Sequence, residues 1–344
     1  MRVIQTTLPA SKQLSYAGVV KTDTIDLDRD YILQRIFIDI RGTADLTTIT
    51  LVEDAGQRLI SEISVHLTGN YAGNKTVINL TGVDLYFINF YDYGEGLERV
   101  IPSATATGQA ISMQFVIDIR LAKNDPDDFS IGIPLYDCSS ATLKVIWSTN
   151  ALGYAATGVS NMALTGKITL FQGIPETNDE YELAKENHIY TCIGTDFTCS
   201  SASAAKESRN TDIATGHLLR RLFIFARSSS TLRLDTEFDW ISLRKIDKVI
   251  LEETDWDALG LQNETDYSLA NYDGNRAIKG LVVLDFARGA VDERGRILGE
   301  DLTGLKSGDI KFDIYKNSAS SKLRLIEEAI VVNPSVGKYR KARG

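Results

Sequence analysis

The chain has 344 residues, 43% of them hydrophobic and 24% charged, and a formal net charge of −9. That length is generous for one core and comfortable for two, and the composition excludes wholesale disorder. An acidic body is a poor surface for nucleic acid, whose phosphates require clustered Lys and Arg.

The halves are electrically alike: 13 basic and 18 acidic residues precede Gln172, against 24 and 28 from Gln172 onward. Cys138, Cys192 and Cys199 show no paired spacing, which points to small buried thiols, with a Cys192–Cys199 bridge as the alternative. The longest apolar candidates, such as 280–286, break at a charge within one strand length, far short of the roughly 20 residues of a membrane helix. Residues 1–6 have no apolar segment of the kind a secretory signal carries.

In chain order, period-2 segments dominate: 35–41 (RIFIDIR), 60–67 (ISEISVHL), 113–120 (MQFVIDIR), 142–147 (TLKVIW), 166–171 (GKITLF) and 309–314 (DIKFDI). A polar residue at every second position means one buried and one wet face. Such strands, separated by Gly, Asn and Asp turns and by almost no helix, predict a sandwich or jelly roll rather than a βαβ fold. One segment reads as helix: 177–187 (TNDEYELAKEN) follows Pro175, opens with capping residues and carries acids in its first turn. It is expected to connect two halves.

Those halves look duplicated. YILQRIFIDIR (31–41) matches HLLRRLFIFAR (217–227) at an offset of 186. FVIDIRLA (115–122) matches VVLDFARG (282–289) at an offset of 167, aligning Asp118 with Asp285. A third match aligns Trp147 with Tyr315 at an offset of 168. The falling offset predicts a longer excursion in the first half, placed at 68–108.

Nothing is arranged for catalysis. His66, His188 and His217 stand in unrelated contexts, with no His-Glu-x-x-His and no Gly-x-Ser-x-Gly. The acidic run 124–128 lacks the Gly and distal Glu of a calcium loop, so a turn explains it. No cofactor or metal is expected. The sequons at Asn74, Asn79 and Asn263 are expected to be chance, given no secretion signal. Among tryptophans, Trp147 and Trp240 sit in strand-like segments, and Trp256 is read as the loop candidate. The C-terminus differs in kind: Lys338, Arg340, Lys341 and Arg343 form a basic tail without an acid, suited to an anionic surface such as a membrane or nucleic acid.

Several segments together resemble the double jelly-roll major capsid proteins of tailless icosahedral viruses with an internal membrane. They are 33–42, 59–67, the "strand, Gly, Leu-aromatic" step at 77–86, the loop and strand at 134–147, and its repeat at 284–286 with 308–314. The resemblance spans roughly 14–333 and rests on order and spacing. It implies an all-β chain of two tandem eight-stranded jelly rolls joined by a short helical linker. The implied division is an N-terminal arm (1–13), a first roll (14–174), a linker (175–188), a second roll (189–333) and the basic tail (334–344). It further implies a non-enzymatic shell protein, assembled in the host cytoplasm and resident in the virion. Three copies would form a pseudo-hexagonal capsomer that meets neighbouring capsomers and minor and penton proteins. The tail would face the internal membrane, with no specific nucleic-acid recognition. The competing reading is a tandem β-sandwich protein that binds or processes carbohydrate.

Overall fold

The computed structural model describes residues 2–97, 99–102, 110–122, 132–185, 188–210, 212–228, 232–246, 248–269, 278–287 and 299–331. The chain divides into two compact units.

The first unit, Met1–Phe90 with Gly96–Thr191, holds β1 (Arg2–Thr7), β2 (Leu14–Tyr16), β3 (Lys21–Asp26), β4 (Ile32–Leu46), β5 (Ile60–Gly69) and β6 (Gly73–Leu80). Helix α1 (Gly82–Tyr93) follows, then β7 (Arg99–Val100), β8 (Ala110–Arg120), β9 (Ile133–Pro134), β10 (Cys138–Trp147), α2 (Asn150–Gly153), β11 (Val159–Ile174) and α3 (Asn178–Lys185). One sheet runs β1-β11-β4-β8-β7; the strands of the other run β6-β5-β10-β3. Within the expected N-terminal arm, Arg2–Thr7 pair antiparallel with β11. The alternation read from the sequence is realised in β4. Ile36, Ile38 and Ile40 are 0% exposed on the core face, while Arg35, Phe37 and Asp39 point the other way, as a pleated strand requires.

The second unit, Tyr91–Glu95 with Cys192–Val332, takes in the last turn of α1. It holds β12 (Ile189–Thr198, from Cys192), β13 (Ala205–Ser208), β14 (Leu218–Arg227), β15 (Phe238–Lys245), β16 (Lys248–Asp255), α4 (Trp256–Tyr267), β17 (Leu281–Asp285), β18 (Glu300–Asp301), β19 (Ile310–Lys316) and β20 (Lys322–Val331). Its sheets run β17-β14-β20-β12 and β13-β19-β15-β16. Leu222, Ile224, Leu243, Phe312, Ile314 and Leu325 pack between them as its core.

Both units share one wiring. In sheet position β4, β5, β6, β8, β10 and β11 correspond to β14, β15, β16, β17, β19 and β20, and the helix after β6 corresponds to the helix after β16. The three sequence matches fall on corresponding strands, but pairing registers correct two of them. Phe37 pairs with Asp118 and the matching Phe223 pairs with Val283, so Asp118 corresponds to Val283 and not to Asp285. A two-residue slide keeps every side chain on its face. The Trp147–Tyr315 match is off by one, which does not. Val145 pairs with Ile63 and Ile314 with Ile241, which puts Lys316 in the place of Trp147 and turns Tyr315 to the outer face.

The longer excursion is also redistributed. The offset is 186 at β4, 178 from Ile60 to Phe238, 174 from Gly82 to Trp256 and 165 at Asp118. Part of the extra length therefore precedes β5.

Two helices contradict the nearly helix-free expectation. The segment 77–86, read as a strand step, leaves the sheet at Leu80 and enters α1. A reciprocal cap explains the change: Thr81 N donates to Asp84 Oδ2 at 2.7 Å and Asp84 N to Thr81 Oγ1 at 3.2 Å. Trp256, read as a loop residue, opens α4 and is 2% exposed. Asp255 caps that helix, accepting from Ala258 N at 2.8 Å.

Candidate functional site

The outer face of the β4 strand and its counterpart on β14 each carry a cluster of buried charges. In the first unit Asp118 has no exposed side-chain surface and would be costly alone. Arg35 Nε donates to its Oδ1 at 2.5 Å and Arg120 Nε to its Oδ2 at 3.3 Å. The Arg35 guanidinium also lies 5.2 Å from the Phe37 ring centre and 4.7 Å from that of Phe171.

In the second unit Arg221 stands where Arg35 does and repeats the stacking, 4.9 Å from the Phe223 ring. Its Nε donates to Glu328 and its Nη2 to Asp92 at 2.6 Å. Burial alone would lower the pKa of Arg221, but the carboxylates of Asp92 and Glu328 more than reverse this and hold it above its ordinary value. Tyr91 meets Phe223 edge-on at 5.7 Å and Tyr267 at 4.9 Å. The Tyr267 hydroxyl donates to Asp285, and burial raises its pKa.

Each helix is tied to its sheet by one buried asparagine. Asn89 of α1 donates to Asp118 O at 3.0 Å. Asn263 of α4 donates to Val283 O at 2.9 Å and accepts from Val283 N at 2.7 Å. Because Asp118 and Val283 correspond in register, these are one device used twice. The sequence reading missed it, although Leu85/Leu259, Asn89/Asn263, Asp92/Asp266 and Tyr93/Tyr267 agree at a constant offset of 174.

On the core side of β20, Glu327 accepts from Ala214 N at 3.1 Å and lies 3.6 Å from His217 Nε2. Burial pushes its carboxyl up from 4.5 to about 7.

The residues singled out from sequence are not brought together. His66 bonds Thr76 Oγ1 at 3.2 Å, and the His188 carbonyl accepts from Tyr71 at 3.2 Å. Among the described residues no group of three or more His, Cys, Asp or Glu could hold a metal, and no helix is long and apolar enough to cross a membrane. All three cysteines are buried and outside any disulfide; burial raises the Cys138 thiol to about 11. Trp147 and Trp256 are fully buried, and Trp240 stacks on Tyr315 at 5.6 Å with the Lys206 ammonium 5.6 Å from its ring. Asn263 is buried and doubly bonded, so its sequon is closed to modification. Lys338, Arg340, Lys341 and Arg343, and the acidic run 124–128, lie outside the described residues.

No protein-family model matches the sequence, and no curated protein matches it. Solved structures do. A crystal structure of the STIV MCP superposes with a TM-score of 0.73 at 17% identity, covering 98% of this chain and 99% of that one. The atomic structure of Sulfolobus Turreted Icosahedral Virus gives 0.74 at 16% identity, covering 98% and 97%. The major capsid protein P2 from bacteriophage PM2 gives 0.58 at 11% identity, covering 96% and 98%. The likeness is one of fold and runs from end to end: the chain is a double jelly roll, as its resemblance to that capsid family implies.

Proposed function

We propose that the chain is a major capsid protein whose homotrimers form pseudo-hexagonal capsomers tiling an icosahedral shell. The observation that carries this reading is the end-to-end match, 98% of this chain against 99% of the STIV MCP. The match extends over both units. The physical use of the duplication supports it. Two like-wired rolls per chain give six near-equal sides from three chains, which suits a tile with six neighbours.

On this reading the protein is structural and not an enzyme. It is assembled in the host cytoplasm and found in the virion. Its partners are further copies of itself and the minor and penton proteins that complete a shell. The basic tail with Lys338, Arg340, Lys341 and Arg343 faces the internal membrane, its charge being opposite in sign to the body. Light scattering on the purified full chain is expected to show a homotrimer of about 114 kDa, three copies of 38.0 kDa. A strict monomer with measurable affinity for sugars would overturn the proposal in favour of the carbohydrate reading.

A further inference from the structure

The duplication leaves one helix less covered than its twin. Every described residue of α1 from Gly82 to Tyr91 is buried. In α4 the residues Ala258, Leu261, Gln262 and Thr265 are exposed on one face. The contrast is sharpest at one matched position, where Phe87 is 0% exposed and Leu261 is 53% exposed. A partner laid over this face would take the Leu261 side chain out of water.

The second unit shows what the end of this helix type meets. Asp92 pairs with Arg221, and Tyr91 packs on Phe223. Arg221 and Phe223 correspond to Arg35 and Phe37 of the first unit. There the same Arg-over-Phe pair is present but less enclosed: the Arg35 side chain is 28% exposed, that of Arg221 9%. Arg221 lies between Asp92 and Glu328, the latter also 3.8 Å from Arg220, whereas Arg35 lies against Asp118 beside Arg120. The first unit therefore offers a half-open seat of an arginine over aromatic rings. Asp266 stands on α4 where Asp92 stands on α1.

We propose that the outer face of β4 receives the C-terminal end of α4 from a second copy of this chain, with Asp266 set against Arg35 and the Leu261 face of α4 covered. This rests on the reading that copies of the chain form a closed trimer. The contact joins two different patches, so it repeats head to tail and closes as a ring. Three chains would then carry six examples of one joint, three made by the end of α1 and three by the end of α4.

The test is trimer stability on dilution, read by light scattering on full-length variants. Asp266→Arg and Leu261→Glu change exposed or half-exposed positions, so circular dichroism is expected to stay that of the parent. Each is expected to raise the concentration at which trimers dissociate by about tenfold or more. Asp266→Asn, which removes the charge without reversing it, is expected to cost less than Asp266→Arg. If Asp266→Arg and Leu261→Glu trimerise like the parent, the inference is wrong and the capsomer reading stands. If the parent chain is itself monomeric, both fall together.

Discussion

A carboxylate removed from water must find a cation or hydrogen-bond donors, or take up a proton. Asp118 and Glu328 take the first course, with Arg35, Arg120 and Arg221 as partners. Glu327 is driven toward the last, because burial outweighs the backbone donor at Ala214 and lifts it to about 7. A carboxyl whose folded pKa lies above its ordinary 4.5 binds its proton more tightly in the folded state. Its contribution to stability is complete below about 4.5 and is lost as pH rises through about 7. Glu327→Gln removes that loss while keeping an acceptor for Ala214 N. The variant is expected to melt like the parent at pH 4 and to be more stable at pH 8 by roughly 1–3 kcal/mol. An equal gap at both pH values would show that the proton plays no part. None of these pairings was legible in the sequence. Arg221 and Glu328 are 107 residues apart and Arg35 and Asp118 are 83 apart, and alternation fixes which face a residue takes without naming its partner.

At the scale of elements, the long strands were legible because their period is regular and one face is apolar. β4, β8 and β10 each lie where alternation puts them, and their matches in the second unit fall on β14, β17 and β19. Register was less legible. The apparent aromatic match of Trp147 with Tyr315 hid a one-residue slip, because the true counterpart of Trp147 is a lysine. Lys316 is fully buried and held by Ser200 Oγ at 2.8 Å and Glu207 at 3.6 Å, a polar solution to a position that the other unit fills with a ring. The helices were hidden for opposite reasons. α1 is apolar almost all round and has no wet face to mark its period, while α4 has too few apolar residues to form a strong stripe. Only the caps, Thr81 with Asp84 and Asp255, announced them. The basic tail can be tested as an element. Deleting 337–344 is expected to leave trimers intact and to weaken binding to anionic liposomes, more so at low salt. Liposome binding equal to that of the full chain would remove the membrane role from the tail.

At the scale of the whole molecule, the repetition of one wiring carries the account. A chain that repeats a roll places two versions of each surface in one molecule, and their differences decide which contacts are made within it and which are left for other copies. Here the repeated set is specific: an Arg-over-Phe pair on the sheet, an asparagine tying helix to strand, and an Asp-Tyr pair ending the helix. The central claim is that three such chains build a six-sided tile. The most direct measurement is electron microscopy of the purified full-length protein, averaged without imposed symmetry. The account predicts end-on views with a near-hexagonal outline and three-fold symmetry. Single-chain particles, or two-fold dimers, would contradict it.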